Sequence, residues 1–387
     1  MSTSGPPTDR PARRLLLVGA GHAHLSVLQA LRASPPPATQ VMLLTPYPRQ
    51  VYSGMLPGWI AGHYRLDDCL IPLAPLLRGS AINVVAASLA RLDLPARSVY
   101  TDRGHRIDFD LVSIDTGPVA DLDALPGLRA HALPIRPIER FISQWQTWQA
   151  VFDAAIRSGE PATLTVVGGG AGGVEVALAA AWRARTQGPS LRLQLVTGRA
   201  GMLPGFAPRV QAMTRAQVIA LGLRLIEDDA VELGPDTVLL AEGGELQSDA
   251  TLVVTGTAAA AWPREAGLAV DERGFIVVDD TLRSTSHPFV FAAGDCASMV
   301  GHPRPKSGVY AVRAGPPLAQ NLRRALTDQP LQRYQPQPRA LYLLSTGRKH
   351  AIASYGDWSL QGAWVWRWKD HIDRKFMRRF AVHAAGA

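Results

Sequence analysis

Two glycine-rich stretches hold the residues best placed for chemistry. Gly168-x-Gly170-x-x-Gly173-x-Glu175 follows the apolar run Leu164-Thr165-Val166-Val167 and opens a stretch of helical periodicity reaching Trp182. Between a strand and a helix, bare glycine backbone lets a diphosphate approach, and free N–H groups with the helix dipole hold its charge. This spacing is the full dinucleotide fingerprint in its required strand, turn and helix context. Glu175 on the same helix is a candidate ligand, or else a first-turn acid favoured by the dipole.

The N-terminal counterpart, Gly19-x-Gly21-x-x-His24, follows Leu15-Leu16-Leu17-Val18. Its third glycine, which serves helix–strand packing rather than phosphate contact, is replaced by histidine. Taken alone, the loop also reads as a turn capped by His22 and His24, and no metal centre is expected from that pair. Neither following strand ends in the acid that usually meets the ribose 2′-hydroxyl: one ends at Thr45, the other at Thr197, followed by Gly198-Arg199. With Arg199 close enough for a 2′-phosphate, NADH and NADPH both stay open.

The elements around these loops repeat. Strand 14–18, a helix with Leu25, Leu28 and Leu31, and strand 41–44 form one βαβ unit; residues 164–196 form another, roughly 150 residues on. Residues 110–117 and 249–256 are matching strand-to-turn segments ending in Thr116-Gly117 and Thr255-Gly256, and Phe289 leads through a strand to Gly294-Asp295. A helix is expected over 310–326. The fold class is α/β with two Rossmann-like units carrying two separate dinucleotides.

Composition agrees. The 387 residues exceed one domain of roughly 100–200 residues, and 47% hydrophobic content with 35 glycines and 30 prolines fits a folded α/β enzyme. Cys69 and Cys296, far apart and in no CxxC pair, suggest neither a disulfide framework nor a zinc site, and fit a reducing cytoplasm. No stretch approaches ~18 apolar residues, so no segment is expected to span a bilayer. The net charge of +8 gathers near Arg10, Arg13 and Arg14 and in the last two dozen residues.

Two dinucleotide loops, two strand-Thr-Gly turns and Ala293-Gly294-Asp295, in this order, resemble the two-dinucleotide-binding flavoprotein superfamily over about residues 14–330. The resemblance implies FAD on the first loop, NADH or NADPH on the second, and the ribityl chain on Asp295. It implies an FAD domain (12–155 and 275–332) split by an inserted NAD(P) domain (156–274), then a small C-terminal segment (333–387). Glu175 resembles the superfamily glutamate that approaches the nicotinamide carboxamide. A helix starting near Ser307-Gly308 would aim its positive end at the isoalloxazine. The candidate cofactor-binding residues are Gly19, Gly21, His22, His24, Thr45, Pro57, Thr116, Gly117, Gly168, Gly170, Gly173, Glu175, Thr197, Gly256, Gly294, Asp295, Lys306, Ser307 and Tyr310. Lys306 and Tyr310 read equally as acceptor-side groups or as a loop lysine and a packed tyrosine.

Within the superfamily, residues 51–58 with Ala61-Gly62-His63-Tyr64, and residues 306–313, resemble NADH-dehydrogenase-like flavoproteins found alone or joined in front of selenophosphate synthases. These are similar to type II NADH:quinone dehydrogenases and sulfide:quinone oxidoreductases. The resemblance implies hydride transfer from NAD(P)H to flavin and electron release to a quinone-type acceptor, with no catalytic acid or base assigned. Without a redox cysteine pair, disulfide and sulfide chemistry is not expected. The alternatives are a nucleotide-binding flavin sensor with little turnover, or a reductase of selenium or sulfur compounds.

The final segment interleaves Trp364, Trp366, Trp368, Ile372, Phe376 and Phe380 with Arg367, Lys369, Arg374, Lys375, Arg378 and Arg379, diluted by Asp370 and Asp373. Such a helix either lies in a lipid headgroup plane, docks on the body, or makes a homodimer contact. The expected location is the cytoplasm or the inner membrane face, and no nucleic-acid motif accompanies the charge.

Overall fold

The computed structural model describes residues 13–187 and 191–381; the Ser/Pro-rich tail and Arg10 lie outside the described residues. Packing divides the chain into two units. The first comprises Met1–Gln50, Pro72–Pro118 and Ala259–Pro336; the second comprises Val51–Ile71, Val119–Ala258 and Gln337–Ala387.

The first unit is built on a five-stranded parallel sheet in the order Val290–Ala292, Leu111–Ile114, Arg13–Val18, Thr39–Leu44, Ile82–Val85. Leu15, Leu16 and Leu17 are wholly buried, as a parallel strand covered on both faces requires. Strand order reverses direction beside Arg13–Val18, so the crevice beyond its C-terminal end receives Gly19 and Gly21. The helix His22–Ala33 starts there and packs on Gly308–Leu326. A Cβ at Gly315 would sit 2.8 Å from the Ala23 carbonyl oxygen, so glycine permits that close approach.

The second unit repeats the plan with Leu133–Pro134, Ala250–Val253, Ala162–Val167, Leu191–Val196 and Arg224–Ile226, again parallel. Its switch point lies beyond Ala162–Val167, at Gly168–Gly170, before the helix Ala171–Gln187. Residues 51–71 and 119–155, expected in the FAD-binding part of the chain, pack within the second compact unit. Trp59, Ile60, Phe141 and Trp145 bury against Val174, Ala177, Leu178 and Ala181. The C-terminal segment also holds strands that apolar periodicity did not reveal: an antiparallel sheet of Tyr342–Thr346, Arg348–Tyr355 and Trp358–Gly362 precedes the helix Ala363–Phe380.

Candidate functional site

The glycines of the second loop divide into two kinds. A Cβ at Gly168, where φ is +145°, would lie 2.3 Å from the Val254 carbonyl oxygen, and one at Gly173 would lie 2.1 Å from the Gly168 carbonyl oxygen. The protein's own backbone demands both. A Cβ at Gly170 would meet nothing within 4 Å. Glycine there is not required by the chain itself, and the open space is what a diphosphate needs when it approaches bare backbone at a helix start. Thr197 is buried and Gly256 is exposed. Cofactor and cradle therefore fit on the second loop.

Beside Thr197 the structure adds charge that the sequence did not show. The Asp229 carboxylate accepts the Arg199 backbone N–H at 3.1 Å. The Arg199 guanidinium lies 3.6 Å from Asp228, 3.7 Å from Asp229 and 3.9 Å from Glu242. Three carboxylates thus surround one cation. The turn after the neighbouring strand, Arg224–Ile226, thus places Asp228 and Asp229 beside Arg199, just past the end of Leu191–Val196.

Glu175 accepts the Ser345 N–H at 2.7 Å. Desolvation pushes its pKa up to about 7, against the pull of Lys369 and the Ser345 amide. Lys369 is buried on the C-terminal helix, its Nζ donating to Asp373 and to the Gly54 carbonyl oxygen, each at 2.6 Å. The Tyr52 hydroxyl donates to the other Asp373 oxygen at 3.0 Å, and burial holds that phenol protonated. Desolvation also raises Asp373. Sequence reasoning missed this polar network; its signal was Lys369 and Asp373 one turn apart on the stripe that carries Val365 and Phe380.

In the first unit, a Cβ at Gly19, where φ is +86°, would lie 2.4 Å from the Asp115 carbonyl oxygen. His24 occupies the third-glycine position by bonding rather than by smallness. It is wholly buried, and desolvation lowers its pKa to about 4, so it is neutral. Nδ1 donates to the Gly19 carbonyl oxygen at 2.5 Å, which leaves Nε2 to accept from the Ser113 hydroxyl at 2.8 Å. With both nitrogens engaged, His24 is no metal ligand. His22 is half-buried at the helix start.

Asp115, at the end of the strand Leu111–Ile114, stands at the centre of this loop. Its carboxylate accepts first-turn N–H groups of His22–Ala33: that of His24 at 2.8 Å and that of Ala23. It lies against Gly294, where φ is +71° and a Cβ would fall 2.3 Å from Oδ1, and Asp295 follows. Gly21, Gly294, Asp295 and Thr116 thus gather around it. An acid interrupting the apolar run into Thr116-Gly117 was the readable signal.

Other candidates are placed differently. Thr45 is buried, its N–H donating to the Val85 carbonyl oxygen, and Gly117, at φ +72°, faces open space. Lys306 donates to the Ala297 carbonyl oxygen at 2.5 Å and lies 3.9 Å over the Phe275 ring, so its ammonium is committed within the first unit. Ser307 is the N-cap of Gly308–Leu326, and Tyr310 lies under Arg304. Pro57 belongs to the second unit, buried in the first turn of Leu56–Ile60. Cys69 and Cys296 are buried free thiols, each pushed up to about 12 by desolvation, so neither offers a thiolate near neutral pH.

Two parallel sheets, each with a glycine loop and a helix at its switch point, define a two-dinucleotide oxidoreductase. Residues 13–315 match the pyridine nucleotide-disulphide oxidoreductase family, and the chain belongs to it. It is accordingly an FAD-dependent oxidoreductase that takes a pyridine nucleotide. It is similar to the type II NADH:quinone oxidoreductase of Staphylococcus epidermidis, 23% identical over 351 residues covering 84% of this chain and 85% of that one. The Staphylococcus aureus enzyme is 23% identical over 342 residues, with the same coverage. Among solved structures, it resembles the sulfide:quinone oxidoreductase of Aquifex aeolicus, with a TM-score of 0.78 at 17% identity over 95% of this chain and 91% of that one. It also resembles NDH2 from Plasmodium falciparum in complex with NADH, with a TM-score of 0.72 at 13% identity over 95% and 98%. Those structural likenesses establish the shared fold.

Proposed function

We propose that this chain is an NADH dehydrogenase that passes electrons through FAD to a quinone-type acceptor at a membrane surface. The observation that carries the reading is the second loop: open space at Gly170 beside a strand tip lined by Asp228, Asp229 and Glu242. Gly170 and the first-turn amides of Ala171–Gln187 hold the diphosphate. Asp229 suits a ribose 2′-hydroxyl. Arg199 is already neutralised, and the surplus negative charge opposes a 2′-phosphate, so the donor is NADH.

When bound, FAD supplies the two-electron chemistry that links nicotinamide to quinone. The chain's own part is to hold protons. Quinone reduction consumes protons along with electrons, and Glu175, poised near neutrality beside Lys369 and Asp373, is a group that holds one at its carboxyl and returns it. The quinone acceptor is supported by the similarity to the staphylococcal enzymes.

The surface reading rests on the helix Ala363–Phe380. Trp366 and Phe376 pack inward on Tyr64 and Tyr52, while Trp364, Trp368 and Ile372 stay exposed at successive turns. Asp373 is buried with Lys369, and Asp370 is taken by Tyr64 and Arg374. The acids therefore do not dilute the exposed stripe, which Arg367, Lys375, Arg378 and Arg379 flank. Aromatic rings framed by cations suit an anionic headgroup plane. Among the described residues no helix is long and apolar enough to cross a membrane.

Steady-state oxidation of NADH and of NADPH, each with a ubiquinone or a menaquinone analogue, tests the proposal. Turnover with NADH and a quinone is expected. A flavoprotein that NADH does not reduce, or whose reduced form no quinone reoxidises, overturns it.

A further inference from the structure

The first loop contains a charge conflict. The helix His22–Ala33 has no side-chain cap of its own, because its N-cap is Gly21. Asp115 caps it from the neighbouring strand, with its carboxylate on the N–H groups of Ala23 and His24. The fit is close on every side: a Cβ at Gly21 would lie 2.4 Å from the carboxyl carbon, and one at Gly294 would lie 2.3 Å from Oδ1. These N–H groups, at the positive end of the helix, are also the donors that a glycine loop of this kind offers a diphosphate. Two anions compete for one small set of donors.

We propose that Asp115 is a proton-linked FAD-binding residue: its carboxylate fills the diphosphate's place at the helix N-terminus, and taking up a proton there lets the cofactor bind. The inference rests on reading the first loop as the FAD site.

Among the described residues, no cation compensates the carboxylate. From the helix side it faces His24, which is neutral, with its Nδ1 proton spent on Gly19. From the turn Gly294–Cys296 it faces Asp295, whose charge opposes ionisation, and Cys296, a protonated thiol. Lys306 interacts with Asp295 and Cys296, but its ammonium is anchored to the Ala297 carbonyl oxygen. Desolvation dominates, Asp295 adds to it, and the two amides only partly offset it, so the carboxyl titrates near 7. A bound diphosphate brings more negative charge and moves the titration higher still.

The expected signature is a pH-dependent grip on the cofactor. Above about pH 7, release of a carboxyl proton competes with binding, so the FAD dissociation constant rises about tenfold per pH unit. Below that pH it is flat. Asp115→Asn cannot ionise, and its neutral amide holds the Ala23 and His24 N–H groups more weakly than a carboxylate does, so it yields them to the diphosphate at every pH. It should bind FAD independently of pH, and about tenfold more tightly than the native protein at about pH 8.

Full-length holoprotein diluted between about pH 6 and about pH 9, with released FAD read by its fluorescence, tests this. A native constant that stays level across the range overturns the proposal, and so does an Asn variant that keeps the native slope. If Asp115→Asn fails to fold, proton release on FAD dissociation from native protein in weak buffer decides: about one proton per flavin at about pH 8 supports the proposal, and none overturns it. A purified protein carrying no flavin at all would remove the first-loop assignment itself, a result distinct from flavin held without pH dependence.

Discussion

Gly170 and Gly173 stand three residues apart in one loop and should fail in opposite ways. Gly173→Ala brings a methyl to 2.1 Å from the Gly168 carbonyl oxygen, where 3.4 Å is ordinary contact, and the neighbour is backbone that cannot swing aside. The helix must move off its strand, at about 1–3 kcal/mol of stability, as for other overpacked sites. Gly170→Glu enters open space, so the change in stability should stay within about 0.5 kcal/mol, as for surface substitutions. Yet it sets a carboxylate where a diphosphate is to sit. Two charges about 4 Å apart at an effective dielectric near 20 repel by about 4 kcal/mol, roughly a thousandfold in affinity. Stopped-flow flavin reduction against NADH concentration, with urea unfolding of the same variants, separates the two effects. Gly170→Glu with native reduction kinetics, or with the unfolding loss expected of Gly173→Ala, would refute the division of roles.

Asp229→Asn combined with Glu242→Gln removes two of the three carboxylates around Arg199 and leaves Asp228, and the ratio of kcat/KM for NADPH to that for NADH should rise about tenfold, in line with exposed pairs worth about 0.2–1 kcal/mol each; an unchanged ratio would detach these acids from donor choice. His24→Leu leaves the Gly19 carbonyl and the Ser113 hydroxyl unpaired in the core, and unfolding should show a loss of about 2–5 kcal/mol. Glu175 has its pKa raised from 4.5 to about 7, so the unfolded chain releases that proton first and stability falls as pH rises between those values. In Glu175→Gln, urea unfolding at about pH 5 and about pH 7.5 should show a smaller fall than in the native protein. Trp364→Ser with Trp368→Ser should abolish co-sedimentation with anionic vesicles at unchanged thermal stability; retained binding would count against the membrane-facing stripe.

The sequence disclosed what repeats and what glycine enforces. Strand–loop–helix periodicity located Gly168, Gly170 and Gly173, because small residues at fixed spacing leave a pattern in one dimension. It did not disclose partners brought in across the sheet. Asp229 reaches Arg199 from a neighbouring strand tip, Asp115 caps a helix some ninety positions away, and Lys369 meets Gly54 and Asp373 in a buried cluster. Trp59 and Ile60 of segment 51–71 announce burial without saying against which core. The antiparallel sheet after Tyr342 was hidden by strands that are short and mixed in polarity.

The central claim is that one chain grips FAD and NADH and moves electrons from the second to the first. An absorbance spectrum of the purified protein, taken anaerobically before and after adding NADH, tests it most directly. The account predicts a yellow protein whose flavin band bleaches on mixing. A colourless protein that FAD does not reconstitute, or a flavin band that NADH leaves untouched, would contradict it.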